Sequence, residues 1–328
     1  MQFVFVHLGP AKAKYLPSNL KRLQKIFPEV PTTLIHTEDV DRRLLRLPKV
    51  RYYEYLNTNQ QTLSNLVHDE KFRRGFWFHS LERIFALSEW AQATKESRFL
   101  HVESDVLLLP TFPISFFESL NSLAWTRFNQ GSDVATFIYS PDSHQASWLS
   151  AKIQDFVRSN ETATDMTALS AVSHEHPKSV YILPSDFSDT ESSQIGIFDP
   201  AQYGMWLTGE DPRNHFGMLK RYVNHAISPI QPSKNKYKFE NLNELRVIRG
   251  NDSLLLHNLH IHSKRRSLFG PFWRLRLWAD IKLSSNQLFP NRFSPLAFMA
   301  VLKDVQKRHP TIKSKALLLY RVVRMKAH

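Results

Sequence analysis

Apolar and polar positions in the first hundred residues follow two periods, one typical of strands and one typical of helices. Helical spacing occurs in NLKRLQKIF and FHSLERIFALSEWAQAT, which lead into the strand-like runs TTLIHT and FLHV. The chain opens with another strand-like run, QFVFVHL. Strands that alternate with helices predict parallel pairs in an α/β sheet, and such sheets bind ligands at the carboxyl ends of their strands.

The pattern after residue 122 mixes strands, helices and one long loop. Asp165 stands where it would open a helix as its N-cap. The predicted strands are LAWTRF, ATFIYS, SVYILPS and SLLLHNLHIHS, the predicted helices are SHQASWLSAKIQDFVRSN and ATDMTALSAVSHEH, and the predicted loop is FDPAQYGMWLTGEDPRNHFG.

The composition of the 328 residues suits a globular protein with a sizeable core, since 42% are apolar and 12% are aromatic. The absence of cysteine excludes disulfides and thiolate metal sites. Any metal must then be held by carboxylates, imidazoles or water, which suit a hard divalent cation. The opening MQFVFVHLG lacks the features of a signal peptide, and no apolar run reaches the length of a membrane span.

The net charge of +13 lies entirely at the end of the chain. Lys264 and the residues after it include 15 Lys and Arg but two acids, Asp280 and Asp304, which leaves 28 basic and 28 acidic residues before them. This asymmetry, with residues 1–263 formally neutral, predicts a globular body over residues 1–266 and a basic extension over residues 267–328.

The extension also interleaves aromatic with basic residues, as in LFGPFWRLRLWADIKL, and is predicted to be mainly helical. Basic, aromatic and partly amphipathic segments attach to anionic lipid surfaces, which would bring the body to a membrane. The alternative is a helical subdomain that packs on the body and leaves its basic face in solvent.

Two carboxylates, Glu103 and Asp105, follow the buried run FLHV directly. Residues two apart in an extended segment point the same way, so both face one locus at the sheet edge. Such a pair repels unless a cation bridges it, and Mg²⁺ or Mn²⁺ binds one or two carboxylates together with substrate phosphates. The alternative is a pair of solvated turn residues.

A second polar group follows a late strand, LLLHNLHIHSKRR. His260 and His262 are predicted to share one face of it, and Lys264 comes next. Imidazole for a metal and ammonium for a diphosphate would complement the acidic pair. Alternatively, each histidine is a core residue with satisfied hydrogen bonds and Lys264 merely begins the basic extension.

Several segments of the sequence, given at the end of this paragraph, resemble in their order those of metal-dependent nucleotide-sugar glycosyltransferases with the GT-A fold. Enzymes of this type build bacterial surface polysaccharides. The resemblance spans residues 3–266 and includes a partial similarity to the retaining family 8 enzymes. It departs from the family pattern in having Glu103 where Asp is usual, and in lacking a Gly-x-x-Lys-Pro-Trp turn after the histidine. The segments are VFVHLG, FWFHSLERIFAL, the acidic strand end, FDPAQYGMWLTGEDPRN and NLHIHSK.

The resemblance implies a Rossmann-like mixed sheet flanked by helices, and a site for Mn²⁺ or Mg²⁺. The implied metal ligands are Glu103, Asp105 and either His262 or His260, with His262 preferred because it lies nearer the predicted strand end. The implied nucleotide and donor contacts are His7, Leu8, Gly9, Thr37, Arg83, Ser104 and Lys264. The implied acceptor or sugar contacts are Asp199, Tyr203, Trp206, Asp211 and Asn214.

Three of these positions are implied to act in catalysis. Arg83 and Lys264 would stabilise the departing diphosphate, and Asp165 would approach the reacting sugar, as general base if the reaction inverts. Alternatively, Asp165 is only a helix cap, Arg83 an intrahelical partner of an acid, and Trp206 a core residue.

The resulting prediction is a glycosyltransferase that moves a sugar, from a UDP-sugar by preference and with retention favoured, to a glycan or lipid-linked acceptor. It is expected in the cytoplasm, peripheral to the inner membrane, and without a nucleic-acid partner. The alternatives are a non-catalytic glycan-binding or scaffold protein on the same fold, and a nucleic-acid binder whose basic tail tracks phosphates.

Overall fold

The fold is a computed structural model that describes residues 1–9, 13–38, 40, 44–56, 63, 66, 75–189, 191–208, 238–240, 244–262, 264, 266–270 and 272–278. The strands are β1 (Gln2–His7), β2 (Thr32–His36), β3 (Val50–Glu54), β4 (Phe99–Val102), β5 (Val106–Leu108), β6 (Leu123–Asn129), β7 (Ser132–Ser140), β8 (Val180–Leu183), β9 (Lys238–Glu240), β10 (Arg246–Arg249), β11 (Asp252–Leu255) and β12 (Asn258–His260). The helices are α1 (Leu16–Ile26), α2 (Phe76–Thr94), α3 (Ile114–Ser119), α4 (Ser143–Ser159), α5 (Asp165–Glu175), α6 (Ser192–Ile195) and α7 (Gln202–Thr208).

Within the described residues the main sheet has seven strands in the order β3-β2-β1-β4-β7-β6-β8. All neighbouring pairs are parallel except those that β7 makes with β4 and β6. Two smaller sheets pair β5 with β12 and β10 with β9 and β11. The predicted α/β fold with a mixed sheet and flanking helices is confirmed.

The helices cover both faces of the main sheet because the side chains of β1 alternate between them. Phe3 and Phe5 pack with Leu20 of α1 on one face, whereas Val4 packs with Leu81 of α2 on the other. Within the sheet, β2 is the neighbour of β1 on one side and β4 is its neighbour on the other. In such sheets the crevice outside the carboxyl ends of these strands is where ligands bind.

Local capping explains where the helices of the second half begin. Asp142 caps α4, since its side chain accepts a hydrogen bond from the backbone nitrogen of Gln145 at 2.7 Å. At α5 the N-cap is Thr164, which forms a capping box with Thr167. The prediction that Asp165 caps this helix is therefore wrong by one residue, and its carboxylate is left for another contact.

The predicted loop FDPAQYGMWLTGEDPRNHFG contains helix α7, and the predicted late strand is divided into β11 and β12. Both differences arise from hydrogen bonds that a local pattern does not show. Helix α7 begins where the side chain of Asp199 accepts hydrogen bonds from the first backbone amides of the helix. The late strand is interrupted at His257, whose backbone forms hydrogen bonds with Leu109 and Ile197.

The described part of the basic extension packs onto the body. Phe269, Trp273 and Leu277 are buried in one core cluster with Leu107 of β5 and Ile261 after β12. A helical stretch over 273–278 carries two of them. The boundary at residue 267 stays a prediction, and residues 279–328 lie outside the described residues. No helix in the described part of the chain has both the length and the apolar character to cross a membrane.

Candidate active site

A short antiparallel ladder brings the late histidine to the acidic pair. β12 pairs with β5 so that His260 lies opposite Val106, and the backbone nitrogen of Ile261 donates to the carbonyl of Asp105 at 2.8 Å. His260 Nε2 then lies 3.5 Å from Glu103 Oε2 and 3.5 Å from Asp105 Oδ1. One ligand atom from each of Glu103, Asp105 and His260 lies within 4.8 Å of the other two.

The ring of His260 is held in this orientation by Thr136 of β7. Thr136 Oγ1 lies 3.2 Å from His260 Nδ1, which leaves Nε2 to face the carboxylates. The same residue's carbonyl accepts a hydrogen bond from the backbone of Glu103 at 3.2 Å. Sequence reasoning missed Thr136, because one threonine on a strand carries no signal that separates it from its neighbours.

Burial and charge act in opposite directions on the two residues of this contact. Burial lowers the pKa of His260, but Asp105, Glu103 and Asp199 outweigh it and raise the pKa to about 9. Burial likewise opposes ionisation of Asp105, yet Lys264, His260 and His262 hold the pKa of that carboxyl far below its ordinary range. Without a bound ion the contact is therefore a carboxylate paired with an imidazolium.

The structure places His262 outside this group. β12 ends at His260, and the chain turns there, with the backbone nitrogen of His262 donating to the carbonyl of His260 at 2.9 Å. The expectation that both histidines share a strand face is therefore wrong, and their ring centroids lie 6.1 Å apart. His260 contacts both carboxylates, and the choice of His262 as the metal ligand stays a prediction.

Lys264 approaches the acidic pair from the turn after β12. Its backbone φ of 52° is left-handed, a conformation that non-glycine residues rarely adopt. Its Nζ lies 3.5 Å from Asp105 Oδ2. The turn thus places an ammonium beside the acidic pair, as a diphosphate site requires.

Arg83 of α2 bridges two carboxylates on the other side of the site. Its Nη1 donates to Glu103 Oε1, and its Nη2 donates to Asp165 Oδ2 at 2.8 Å. Burial alone would lower the pKa of Arg83, but Glu103 and Asp165 raise it. Burial raises the pKa of Asp165, with Glu103 acting the same way and Arg83 against it. The guanidinium of Arg83 thus connects Asp165, which does not cap its helix, to the acidic pair.

The donor set fits a hard divalent cation. Glu103 Oε2 is buried and has no hydrogen-bond partner among the described residues. A buried carboxylate oxygen without a donor is unfavourable, and a cation would satisfy it. Two carboxylates and one imidazole, whose other nitrogen is already occupied, are ligands that suit Mn²⁺ or Mg²⁺.

Asp199 has a structural task that the sequence did not indicate. Its side chain is fully buried and accepts backbone hydrogen bonds from Ala201, Tyr203, Gly204 and His260 at 2.7–3.0 Å. Burial raises its pKa, and the amide of His260 is foremost among the donors that oppose this effect. Both oxygens of Asp199 thus accept from the backbone, and its predicted contact with an acceptor stays a prediction.

Gly204 lets helix α7 pack closely against β12. A Cβ atom at Gly204 would lie 2.0 Å from the carbonyl oxygen of His260, so only glycine allows this approach. Tyr203 is fully buried in the core cluster that contains Leu107 and Ile261, and its predicted contact with an acceptor stays a prediction. Trp206 packs partly buried against this core. Asp211 and Asn214 lie outside the described residues.

The predicted nucleotide contacts gather at the carboxyl ends of β1 and β2 but differ in accessibility. Gly9 has a φ of 72° and donates its backbone hydrogen to Thr37 Oγ1 at 3.0 Å. His7 and Leu8 are buried, and Leu8 belongs to the core on the α2 face. Ser104 lies across the crevice, with its Oγ 3.2 Å from the hydroxyl of Tyr15.

No protein-family model and no curated protein matches the sequence. Solved structures with a partly similar fold include the galactosyltransferase LgtC, in complex with donor and acceptor sugar analogues, at 11% identity and a TM-score of 0.42 over 56% of this chain and 73% of that chain. They also include the glycosyltransferase GlyE of Streptococcus pneumoniae, at 14% identity and a TM-score of 0.38 over 56% of this chain and 45% of that chain. The functional proposal rests on the side chains of the site.

Proposed function

We propose that this protein is a metal-dependent glycosyltransferase that uses a nucleotide-diphosphate sugar. The observation that carries the proposal is the convergence of Glu103, Asp105 and His260 with Lys264 and Arg83 outside the carboxyl ends of β1 and β4. Three metal ligands and two cations are the groups that a diphosphate leaving group requires.

Glu103, Asp105 and His260 would hold Mn²⁺ or Mg²⁺, which when bound supplies Lewis-acid stabilisation of the diphosphate. Lys264 would contact a phosphate oxygen from the turn after β12, and Arg83 would contact the donor from α2. Gly9 and Thr37 would lie beside the nucleoside, and UDP is the nucleotide that we expect. His7 and Leu8 would support this end of the site from behind, and Ser104 would contact the donor from across the crevice.

Asp165 would face the transferred sugar, since Arg83 joins it to Glu103. In a retaining reaction, which the partial resemblance to family 8 favours, Asp165 would orient the sugar and its charge would stabilise the cationic transition state. In an inverting reaction it would act as general base, a role that a raised pKa suits. The anomeric configuration of the product, read by proton NMR, distinguishes the two roles.

The acceptor that we propose is a glycan or a lipid-linked saccharide in surface polysaccharide assembly, reached from the cytoplasmic face of the inner membrane. The excess charge after residue 263 supports this location, because basic segments bind anionic lipid. Phe272, 64% exposed beside the exposed Arg274, lies on the described part of the extension. Sedimentation with vesicles of anionic and neutral lipid tests this partner.

The first experiment is a calorimetric titration of the protein with UDP, with and without Mn²⁺, repeated on Asp105→Ala. Binding that requires Mn²⁺ and is lost in the variant supports the proposal, and release of UDP from donor sugars then tests turnover. Binding without turnover on any donor and acceptor would favour a non-catalytic glycan-binding protein. A folded protein that binds no nucleotide diphosphate with Mn²⁺ would overturn the proposal.

A further inference from the structure

We propose that His79, oriented by the buried carboxylate of Glu82, is a direct contact for the nucleoside part of the donor. This inference rests on the proposed function and deepens it, because it adds a side chain for base or ribose beside Gly9 and Thr37.

The pair has an arrangement that a surface salt bridge on a helix does not need. His79 Nδ1 lies 2.8 Å from Glu82 Oε2, while the Glu82 side chain is 2% exposed and that of His79 is 33% exposed. Glu82 Oε1 is buried and has no hydrogen-bond partner in the described part of the chain. Burying a carboxylate is costly, and exposed pairs of this spacing contribute little to the stability of a helix.

The carboxylate determines what the imidazole presents to solvent. Because Glu82 accepts the hydrogen on Nδ1, a neutral His79 exposes Nε2 as a hydrogen-bond acceptor in one fixed direction. A ligand that matches the neutral ring therefore offers a hydrogen-bond donor. A ribose hydroxyl and the imide N–H of a pyrimidine base both do so.

The position of the ring assigns it to the nucleoside end of the site. A Cβ atom at Gly9 would lie 2.7 Å from His79 Nε2, so the ring lies directly against the end of β1. Gly9 in turn bonds to Thr37 at the end of β2. Arg83, one turn further along α2, faces the same crevice and reaches Glu103. One face of α2 thus carries a histidine at the β1–β2 end and an arginine at the metal end.

The test compares UDP affinity with the affinities for Mn²⁺ alone and for Mn²⁺ with inorganic pyrophosphate, all by calorimetry. We expect His79→Ala to weaken UDP binding by roughly tenfold and to leave the other two affinities within about twofold. Glu82→Gln keeps an acceptor for Nδ1–H and should retain most of the affinity. His144→Ala removes an exposed histidine of α4 and is the matched control.

Two analogues separate the sources of the hydrogen bond. If the ribose 2′-hydroxyl is the donor, 2′-deoxy-UDP, which lacks it, will bind wild type and His79→Ala with equal affinity. If the imide N–H of the base is the donor, CDP, which lacks that group, will bind the two proteins with equal affinity. The double variant with His79→Phe and Glu82→Leu removes the pair together, so a loss of fold caused by an unpaired buried carboxylate does not obscure the result.

Unchanged UDP affinity in a folded His79 variant would overturn the inference and leave the proposed function standing. Equal losses of UDP and pyrophosphate binding would also overturn it, since His79 would then act on the diphosphate or on the fold. If the wild-type protein binds no nucleotide diphosphate, the proposed function itself fails, so the two failures are distinguishable.

Discussion

The carboxylate of Asp199 accepts a hydrogen bond from the backbone nitrogen of His260, with 2.9 Å between Oδ2 and N. The same carboxylate holds the first turn of α7, and Asn258 bonds back to the main chain of Asp199 through both ends of its amide, at 2.8 and 3.0 Å. The strand that carries the candidate metal ligand His260 is therefore fixed by hydrogen bonds to and from Asp199. Asp199 positions His260.

Asp199→Asn tests this positioning. The two carboxylate oxygens of Asp199 accept four backbone hydrogen bonds. In asparagine an NH₂ group replaces one of these oxygens, so a donor would face backbone N–H groups. We expect the free energy of unfolding to fall by about 2 kcal/mol, and Mn²⁺ affinity to fall roughly tenfold or more while the protein remains folded. Chemical denaturation and Mn²⁺ titration measure the two effects.

Asp142→Asn is the matched control, because the side chain of Asp142 accepts from one amide and asparagine caps helices equally well. It should change the free energy of unfolding by less than about 0.5 kcal/mol. A loss of stability in Asp199→Asn with unchanged Mn²⁺ affinity would show that Asp199 stabilises α7 without positioning His260.

The two histidines should differ in their effect on metal affinity. We expect His260→Ala to weaken Mn²⁺ binding by more than roughly 100-fold, because the outer partners of a metal ligand alone are worth 10- to 100-fold. His262→Ala should change it by less than about tenfold, since the three ligand atoms that lie within 4.8 Å of one another come from Glu103, Asp105 and His260. Electron paramagnetic resonance of free Mn²⁺ measures both. The reverse order would restore His262 as the ligand.

Lys264→Ala should separate nucleotide affinity from metal affinity. Lys264 Nζ lies 3.5 Å from Asp105 Oδ2 and competes with a cation for that carboxylate. We therefore expect Mn²⁺ affinity to rise or stay constant, whereas affinity for UDP with Mn²⁺ falls roughly tenfold through the lost phosphate contact. Calorimetry at fixed ionic strength gives both values. A fall in Mn²⁺ affinity would mean that Lys264 shapes the turn and does not contact phosphate.

His101→Gln tests the pH dependence of stability. Burial, with a smaller effect of Arg83, holds the pKa of His101 well below its ordinary value. The unfolded chain takes up a proton at this residue below about pH 6.5 and the folded protein does not, so stability falls as pH falls. We expect the wild type to lose up to about 1.4 kcal/mol per pH unit more than the variant below that pH.

Denaturant unfolding at three pH values between 5.5 and 7.5 measures this difference. His257, whose pKa is also lowered by burial, and His260, whose pKa is raised, are present in both proteins and cancel in the comparison. Parallel pH profiles for wild type and variant would contradict the prediction.

The sequence predicted those parts of the site that depend on neighbouring residues. FLHV was predicted as a strand, and Glu103 and Asp105 follow it because a buried strand ends where charged residues begin. The choice between His260 and His262 depended on where β12 ends, which its ladder with β5 and the turn after it decide. Asp199 is predicted to contact an acceptor because an aspartate in an aromatic loop looks available. Three of the amides that donate to it belong to Ala201, Tyr203 and Gly204, which follow closely in the sequence, and the fourth is the distant amide of His260.

The two strands that form the site, β5 and β12, are synthesised at different times. Glu103 and Asp105 leave the ribosome long before His260 and Lys264, so during synthesis the acidic pair has Arg83 as its basic partner and β5 has an unpaired edge. Such a nascent chain exposes strand edge to other chains until β12 arrives and closes the ladder. A product released early, before residue 258, would lack His260, so it would hold two of the three candidate metal ligands and no partner strand for β5.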